Sequence, residues 1–161
     1  LDANLDLPSW SPRRIPKGLA SWLLNGGGST LASYGIALAP DANQRAVVDA
    51  IGQLQKAIPD RHQAFLSSLI LSHVEGDYHF VHAGVRPGVD WAEQDDHDLC
   101  WIREEFLETD EDFGYCVVHG HTIAEEPIVR RNRIGIDTGA SQSGRLTCVV
   151  LEENKYHFIQ T

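Results

Sequence analysis

Two stretches, DYHFVHAG (77–84) and GYCVVHGHT (114–122), decide how this chain folds. Each runs through β-branched and aromatic residues and stops at a histidine with glycine close by. That is the signature of a buried strand whose carboxyl end opens into a tight, small-residue turn. Working outward, Glu75-Gly76-Asp77 predicts a hairpin turn joining LILSHV (69–74) to the first stretch. Downstream, PIVRR (127–131), RIGIDTGA (133–140), GRLTCVVLEE (144–153) and KYHFIQT (155–161) carry the β texture to the end, with Ser143-Gly144 and Asn154 as turn positions. Between the two stretches, DLCWIREEFLE (98–108) has helical or mixed character. Upstream the texture is helical. Ala46, Val47, Ala50, Ile51 and Leu54 recur at i, i+3, i+4 spacing behind Asp41 and Asn43, which suit a cap, and Pro59 ends that helix. A short helix is predicted over 60–67. WLLNGGGSTLASYG (22–35) turns at its glycines, with Ser29 and Thr30 as caps for the next helix. The fold class is therefore mixed, α/β with α+β character. One domain is expected, with an irregular lead-in over 1–20 (Pro8, Pro12 and Pro16 bar a continuous helix), mainly helices over 21–67 and mainly strands over 68–161.

Composition narrows the function classes. The chain has 161 residues, 42% of them hydrophobic, so a real core can form and wholesale disorder is excluded. Lys and Arg number 13 against 23 Asp and Glu, a net charge of −10, which argues against nucleic-acid and membrane-surface partners. An anionic substrate stays open, because a local metal or arginine can dominate the field inside a cleft. No apolar run reaches membrane-spanning length. There is no Met, so Leu1 is read as the start of a processed chain or a fragment, and no signal peptide is visible in the first residues. Cys100, Cys116 and Cys148 are far apart and flanked by apolar residues, which reads as free buried thiols and a cytoplasmic location.

Of eight histidines, His62, His73, His79, His97 and His157 read as solvated or structural. His82 and His121 differ, since each comes after an apolar strand and has glycine close by. Tyr78, Phe80 and His82 share one face at period two. Ligand sites in open α/β sheets lie outside the carboxyl ends of strands, and neutral imidazole there is a common metal ligand. The competing reading is a pair of buried histidines bonded to backbone carbonyls. His119 and His121 both point one way if the strand continues. Arg103, in an apolar-rich segment, either pairs with Asp98, Glu104 or Glu105 or aims its guanidinium fork at a phosphate. QDDHD (94–98) reads as a solvated acidic loop, and Arg131 and Arg133 as solvated neighbours on one strand face. GGGST lacks the Lys-Ser/Thr ending of a phosphate loop, and GASQSG is out of register for a nucleophile elbow.

The order FVHAGVRPG, DLCWIREEF, VVHGHT, RIGIDTGA, GRLTCVVLE resembles the second half of a bacterial serine/threonine protein phosphatase of the PPP family, within the calcineurin-like metallophosphoesterases. The upstream WLLNGGGSTLASYG resembles the segment immediately after the family's GNHE motif. The likeness spans roughly residues 22–152. It implies a β-sandwich flanked by helices and a site with two divalent metal ions, manganese or iron with zinc. Phosphate monoesters, chiefly phosphoserine and phosphothreonine, would be hydrolysed there by attack of a metal-bound hydroxide. By position, His82 and His121 match metal ligands of one ion, and Arg103 matches a residue that holds the substrate phosphate. His119, Asp137 and Thr138 line the same region without an assigned role.

The blocks GDxHG, GDxxDRG and GNHE, which supply the family's other ligands, have no counterpart here. This chain alone is therefore expected to be inactive, with at most a partial metal site, and to self-associate or to associate with a missing N-terminal half. A phosphoprotein or phosphorylated small molecule is the expected partner. The alternatives are a bis(5'-nucleosyl)-tetraphosphate hydrolase of the same fold and a non-catalytic interaction module that uses the acidic loops at 94–98 and 108–112.

Overall fold

The computed structural model describes residues 17–39, 41–152 and 155–161. Most of the expected lead-in and the Asn154 turn lie outside the described residues. The chain divides into two compact units, one ending at Leu69 and one beginning at Ile70.

The first unit is helical. Helix α1 (Lys17–Trp22) begins where irregular chain was expected, and α2 (Gly28–Ser33) comes after a kink at Asn25 and Gly26, where Gly26 takes φ 103°. Ser29 and Thr30 lie inside α2 and do not cap it. Thr30 Oγ1 donates back to the Gly26 carbonyl at 3.2 Å. The next helix, α3 (Gln44–Ala57), starts where the Asn43 side chain accepts from the Ala46 N–H at 3.0 Å, and it buries Val47, Ala50, Ile51 and Leu54. A buried cluster of Leu31, Ile36, Ala50 and Leu54 holds α2 and α3 together. Helix α4 (Asp60–Ser67) begins directly after Pro59, and its His62 Nδ1 lies 2.9 Å from the Tyr34 hydroxyl, a structural role.

The second unit is built on a mixed five-stranded sheet. Its strands are β1 (Ser72–Glu75), β2 (Tyr78–Val81), β3 (Cys116–His119), β4 (Ile128–Val129) and β5 (Arg133–Gly135), in the order β1-β2-β3-β5-β4. The outer pairs are antiparallel, while β2, β3 and β5 run parallel. The class read from the sequence, mixed α and β, is the class observed. The hairpin turns at Gly76, φ 57°, as expected. The first strand is shorter than LILSHV, because pairing ends where Ser72 meets Val81, and Leu69, Ile70 and Leu71 are exposed. β6 (Thr147–Glu152) and β7 (Lys155–Gln160) form a separate antiparallel hairpin.

Between β2 and β3 the chain forms two short helices, α5 (Asp96–Trp101) and α6 (Glu104–Leu107), broken at Ile102-Arg103. They cover one sheet face with a core of Ala83, Val85, Leu99, Ile102, Phe106 and Val117. Phe106 is fully buried at its centre. It stacks on Phe113, meets His119 edge-on at 5.0 Å and carries the Arg133 guanidinium over its ring at 5.5 Å. Arg133 is therefore not solvated. It is buried, and its fork donates to the carbonyls of Leu107 and Thr109 and to Asn132 Oδ1. A guanidinium is buried tolerably only when its donors find such acceptors. Arg131 does stand in solvent, paired with Asp112 at 2.9 Å. The opposite sheet face borders a cleft of about 790 Å³ whose lining includes Phe80, Ile134, Val149, Leu151 and Tyr156, and to which His82, Arg103 and His121 do not contribute.

None of the three cysteines is fully buried, against the expectation of buried thiols. Cys100 and Cys116 are half-buried, and Cys148 is exposed on its hairpin. Among the described residues no helix is long and apolar enough to cross a membrane.

Candidate functional site

The carboxyl ends of β2 and β3 lie side by side because the strands run parallel, with Phe80 opposite Val118. The chain leaving β2 carries His82 past the chain leaving β3, and the Gly120 N–H donates to the His82 carbonyl at 2.9 Å. Gly84, two residues on, packs against Phe106 so closely that a Cβ there would stand 2.6 Å from the ring's Cγ. Glycine at that position lets the chain after His82 hug the core.

Strand β3 stops at His119, so His119 and His121 do not point the same way. His119 is buried against Phe106, with Nδ1 3.0 Å from the Gly120 carbonyl oxygen, and burial lowers its pKa. His121 takes φ 63°, the one left-handed backbone outside glycine among the described residues. Such a backbone costs roughly 1–2 kcal/mol for a residue with a Cβ. Strain of this kind persists where the surroundings over-determine it, often at functional sites.

The turn brings the two imidazoles together. His82 Nε2 and His121 Nδ1 are 3.2 Å apart, and the rings meet at 60° with centroids 4.9 Å apart. The Trp101 ring closes over His121 edge-on at 5.6 Å. His121 Nε2 is buried with no hydrogen-bond partner of acceptable geometry. Burial lowers the His121 pKa most. The Arg103 charge and the His82 ring lower it further, against opposing pulls from the Trp101 backbone and Asp137. These causes favour the neutral ring, the form that binds a metal.

Arg103 stands beside the pair. Its Nη1 donates to the Thr122 hydroxyl at 3.0 Å and to the His121 carbonyl at 3.3 Å. It makes no ion pair with Asp98, Glu104 or Glu105. Its remaining guanidinium donors have no partner among the described residues, and the side chain is exposed. Asp98 is instead held by Arg86, which was not singled out from the sequence. Arg86 Nε and Nη2 donate to the two Asp98 carboxylate oxygens at 2.5 and 2.8 Å. That grip holds the Asp98 carboxyl below the ordinary carboxylate range, and the carboxylate in turn raises the Arg86 pKa. The acidic run at 94–98 is thus not simply a solvated loop. Asp95 caps α5 by accepting from the His97 N–H at 2.8 Å, and Asp98 is buried. The missed signal lay in VRPG (85–88), where a charge comes directly after a buried apolar run.

The donor set is compatible with one divalent ion. Two nitrogens on one zinc at about 2.0–2.1 Å and tetrahedral angles stand roughly 3.3 Å apart. The pair is spaced accordingly, which is also hydrogen-bond distance. Among the described residues no group of three or more His, Cys, Asp or Glu side chains is placed to hold an ion, and the two imidazoles are the nitrogen pair brought together there. Both sit at parallel strand tips beside a partly unpaired guanidinium, on a mixed α/β unit. No family model matches the chain, and no curated protein matches it either.

Proposed function

We propose that this chain carries half of a metal-dependent phosphoesterase centre of the calcineurin-like kind, acting on phosphate monoesters such as phosphoserine and phosphothreonine. The observation that carries the reading is the 3.2 Å approach of His82 Nε2 to His121 Nδ1, with the Arg103 guanidinium tied to the His121 carbonyl. His82 and His121 would hold one of two divalent ions. When bound, such ions polarise a phosphoryl oxygen and acidify a water. Arg103 binds and orients the phosphate through the guanidinium donors that have no partner among the described residues. Trp101 shields the imidazole of His121 from water, and Thr122 keeps the guanidinium in place. The ligand motifs lacking from this sequence would have to come from elsewhere, so two imidazoles alone are expected to bind an ion weakly and to turn over nothing.

The test is titration of the chain with zinc or manganese. His82→Ala and His121→Ala should each weaken binding by at least about tenfold, while Arg103→Ala leaves the metal in place and weakens inorganic phosphate. Equal metal affinity in the wild type and both histidine variants removes the assignment. Where the missing ligands are supplied, a phosphopeptide compared with diadenosine tetraphosphate under manganese separates the phosphatase from the nucleotide hydrolase.

A further inference from the structure

The parts of the site form a closed ring of contacts. The imidazole of His82 meets that of His121. The carbonyl of His121 and the hydroxyl of Thr122 accept from Arg103. Arg103 lies just past the end of α5, whose first turn carries Asp98. Asp98 accepts both prongs of Arg86, and Arg86 lies on the same strand-end loop as His82. A backbone bond runs beside that last link, from the Ala83 N–H to the Leu99 carbonyl at 2.8 Å. Gln94 braces the loop from the other side. Its Oε1 accepts from the Arg86 N–H at 2.7 Å, and its Nε2 donates to the carbonyls of Arg86 and Val89 at 3.0 and 2.8 Å.

Only one link in this ring is both charged and two-pronged. A bidentate guanidinium–carboxylate pair fixes orientation as well as distance, which a single bond does not. The Arg86 side chain is 44% exposed and the Asp98 side chain 13%, so the carboxylate is the desolvated partner and loses most if its cation goes. Glu105, 3.9 Å from Arg86 and itself exposed, adds little.

We infer that Arg86 is a positioning residue: its grip on Asp98 fixes α5 and so aims the Arg103 guanidinium at the imidazole pair. The benefit to a phosphate ligand rests on the function proposed above, whereas the positioning of Arg103 does not. Two measurements on the full chain separate them. The first is nuclear magnetic relaxation of the Arg103 Nε–H, which reports the order of that side chain without any ligand. The second is the affinity for inorganic phosphate with zinc present.

Arg86→Gln should loosen Arg103, taking its order parameter below about 0.6, and should weaken phosphate by about tenfold. In an Arg103→Ala background the same change should cost phosphate nothing more, the signature of one residue acting through another. Arg86→Lys, which keeps the charge with one prong, should recover part of both. If Arg86→Gln fails to fold, Asp98→Asn removes the charge and one of the two prongs with nearly unchanged shape and should give the same pattern in weaker form. An Arg103 that stays ordered in a folded variant, or a phosphate loss of equal size with and without Arg103, overturns the inference. Should the wild type bind no phosphate while Arg103 still loosens, the proposed function falls and the positioning stands. Should Arg103→Ala abolish phosphate binding while Arg86→Gln leaves Arg103 ordered, the reverse holds.

Discussion

Gly84→Ala is the sharpest probe of how the strand-end histidine is held. The glycine does not have positive φ, so alanine meets no backbone strain and the whole effect is steric. The new methyl carbon would stand 2.6 Å from Phe106 Cγ. Carbon atoms in comfortable contact lie about 3.5–4.0 Å apart, so ring or backbone must yield by about 1 Å. The ring has nowhere to go. Phe113 stacks on it at 6.2 Å, His119 meets it at 5.0 Å, and the Arg133 guanidinium covers it at 5.5 Å with its own donors spent on carbonyls. Overpacking of a fixed core group costs about 1–3 kcal/mol, and we take about 2 kcal/mol for a single methyl. For a unit of this size that lowers the melting temperature by about 8–16 °C.

The assay is thermal unfolding monitored by circular dichroism, with Gly120→Ala as the matched control. A Cβ on Gly120 finds its nearest atoms at 3.7 Å, an ordinary contact, so that variant should lose under about 1 kcal/mol. Phe106→Leu is the second arm. Alone it destabilises, but combined with Gly84→Ala the loss should be less than the sum of the two, because the shorter side chain relieves the clash. A Gly84→Ala protein that melts with the wild type, or losses that simply add in the double variant, would refute the close packing of the HAG turn on Phe106.

Two further predictions concern stability. His79, His119 and His121 all have folded-state pKa values pushed below the ordinary histidine value by burial. The unfolded chain therefore takes up protons first as pH falls, so stability is full above about pH 6.5 and declines as pH drops from there toward the folded values. The Asp98 carboxylate adds its loss only further down, below the ordinary carboxylate range. Urea unfolding of the metal-free chain at pH 7.5 and 5.5 should give the lower midpoint at 5.5, and equal midpoints would contradict the burial of these rings. Gly52→Ala, inside α3 with open space around the new methyl, should stabilise the helical unit by about 0.5–1 kcal/mol and raise its unfolding midpoint, where a fall would mean that Gly52 does not sit in a helix interior.

Particular residues show where sequence reasoning reaches and where it stops. Helix α3 was legible because its cap and its buried stripe are local, set by Asn43 and by residues a turn apart. The strands leading to His82 and His119 were legible because an apolar run halted by histidine and glycine is also a local signal. What depends on partners distant in the chain was not. Alternation placed His119 and His121 on one side, and only the left-handed turn at His121 separates them, sending one ring to Phe106 and the other to His82. Alternation likewise placed Arg133 in solvent, although its fork is taken up by carbonyls at the end of α6 and just beyond it. Asp98 looked like one member of a solvated acidic run because its cation, Arg86, arrives from across a loop. Charge seen in sequence shows that a counter-ion or an acceptor is needed and leaves open which one supplies it. For Arg103 that gap matters most. With Asp98 occupied by Arg86, the Arg103 guanidinium turns instead to the Thr122 hydroxyl and the His121 carbonyl, both contributed by the turn after β3 and neither a carboxylate that a charge count would have offered.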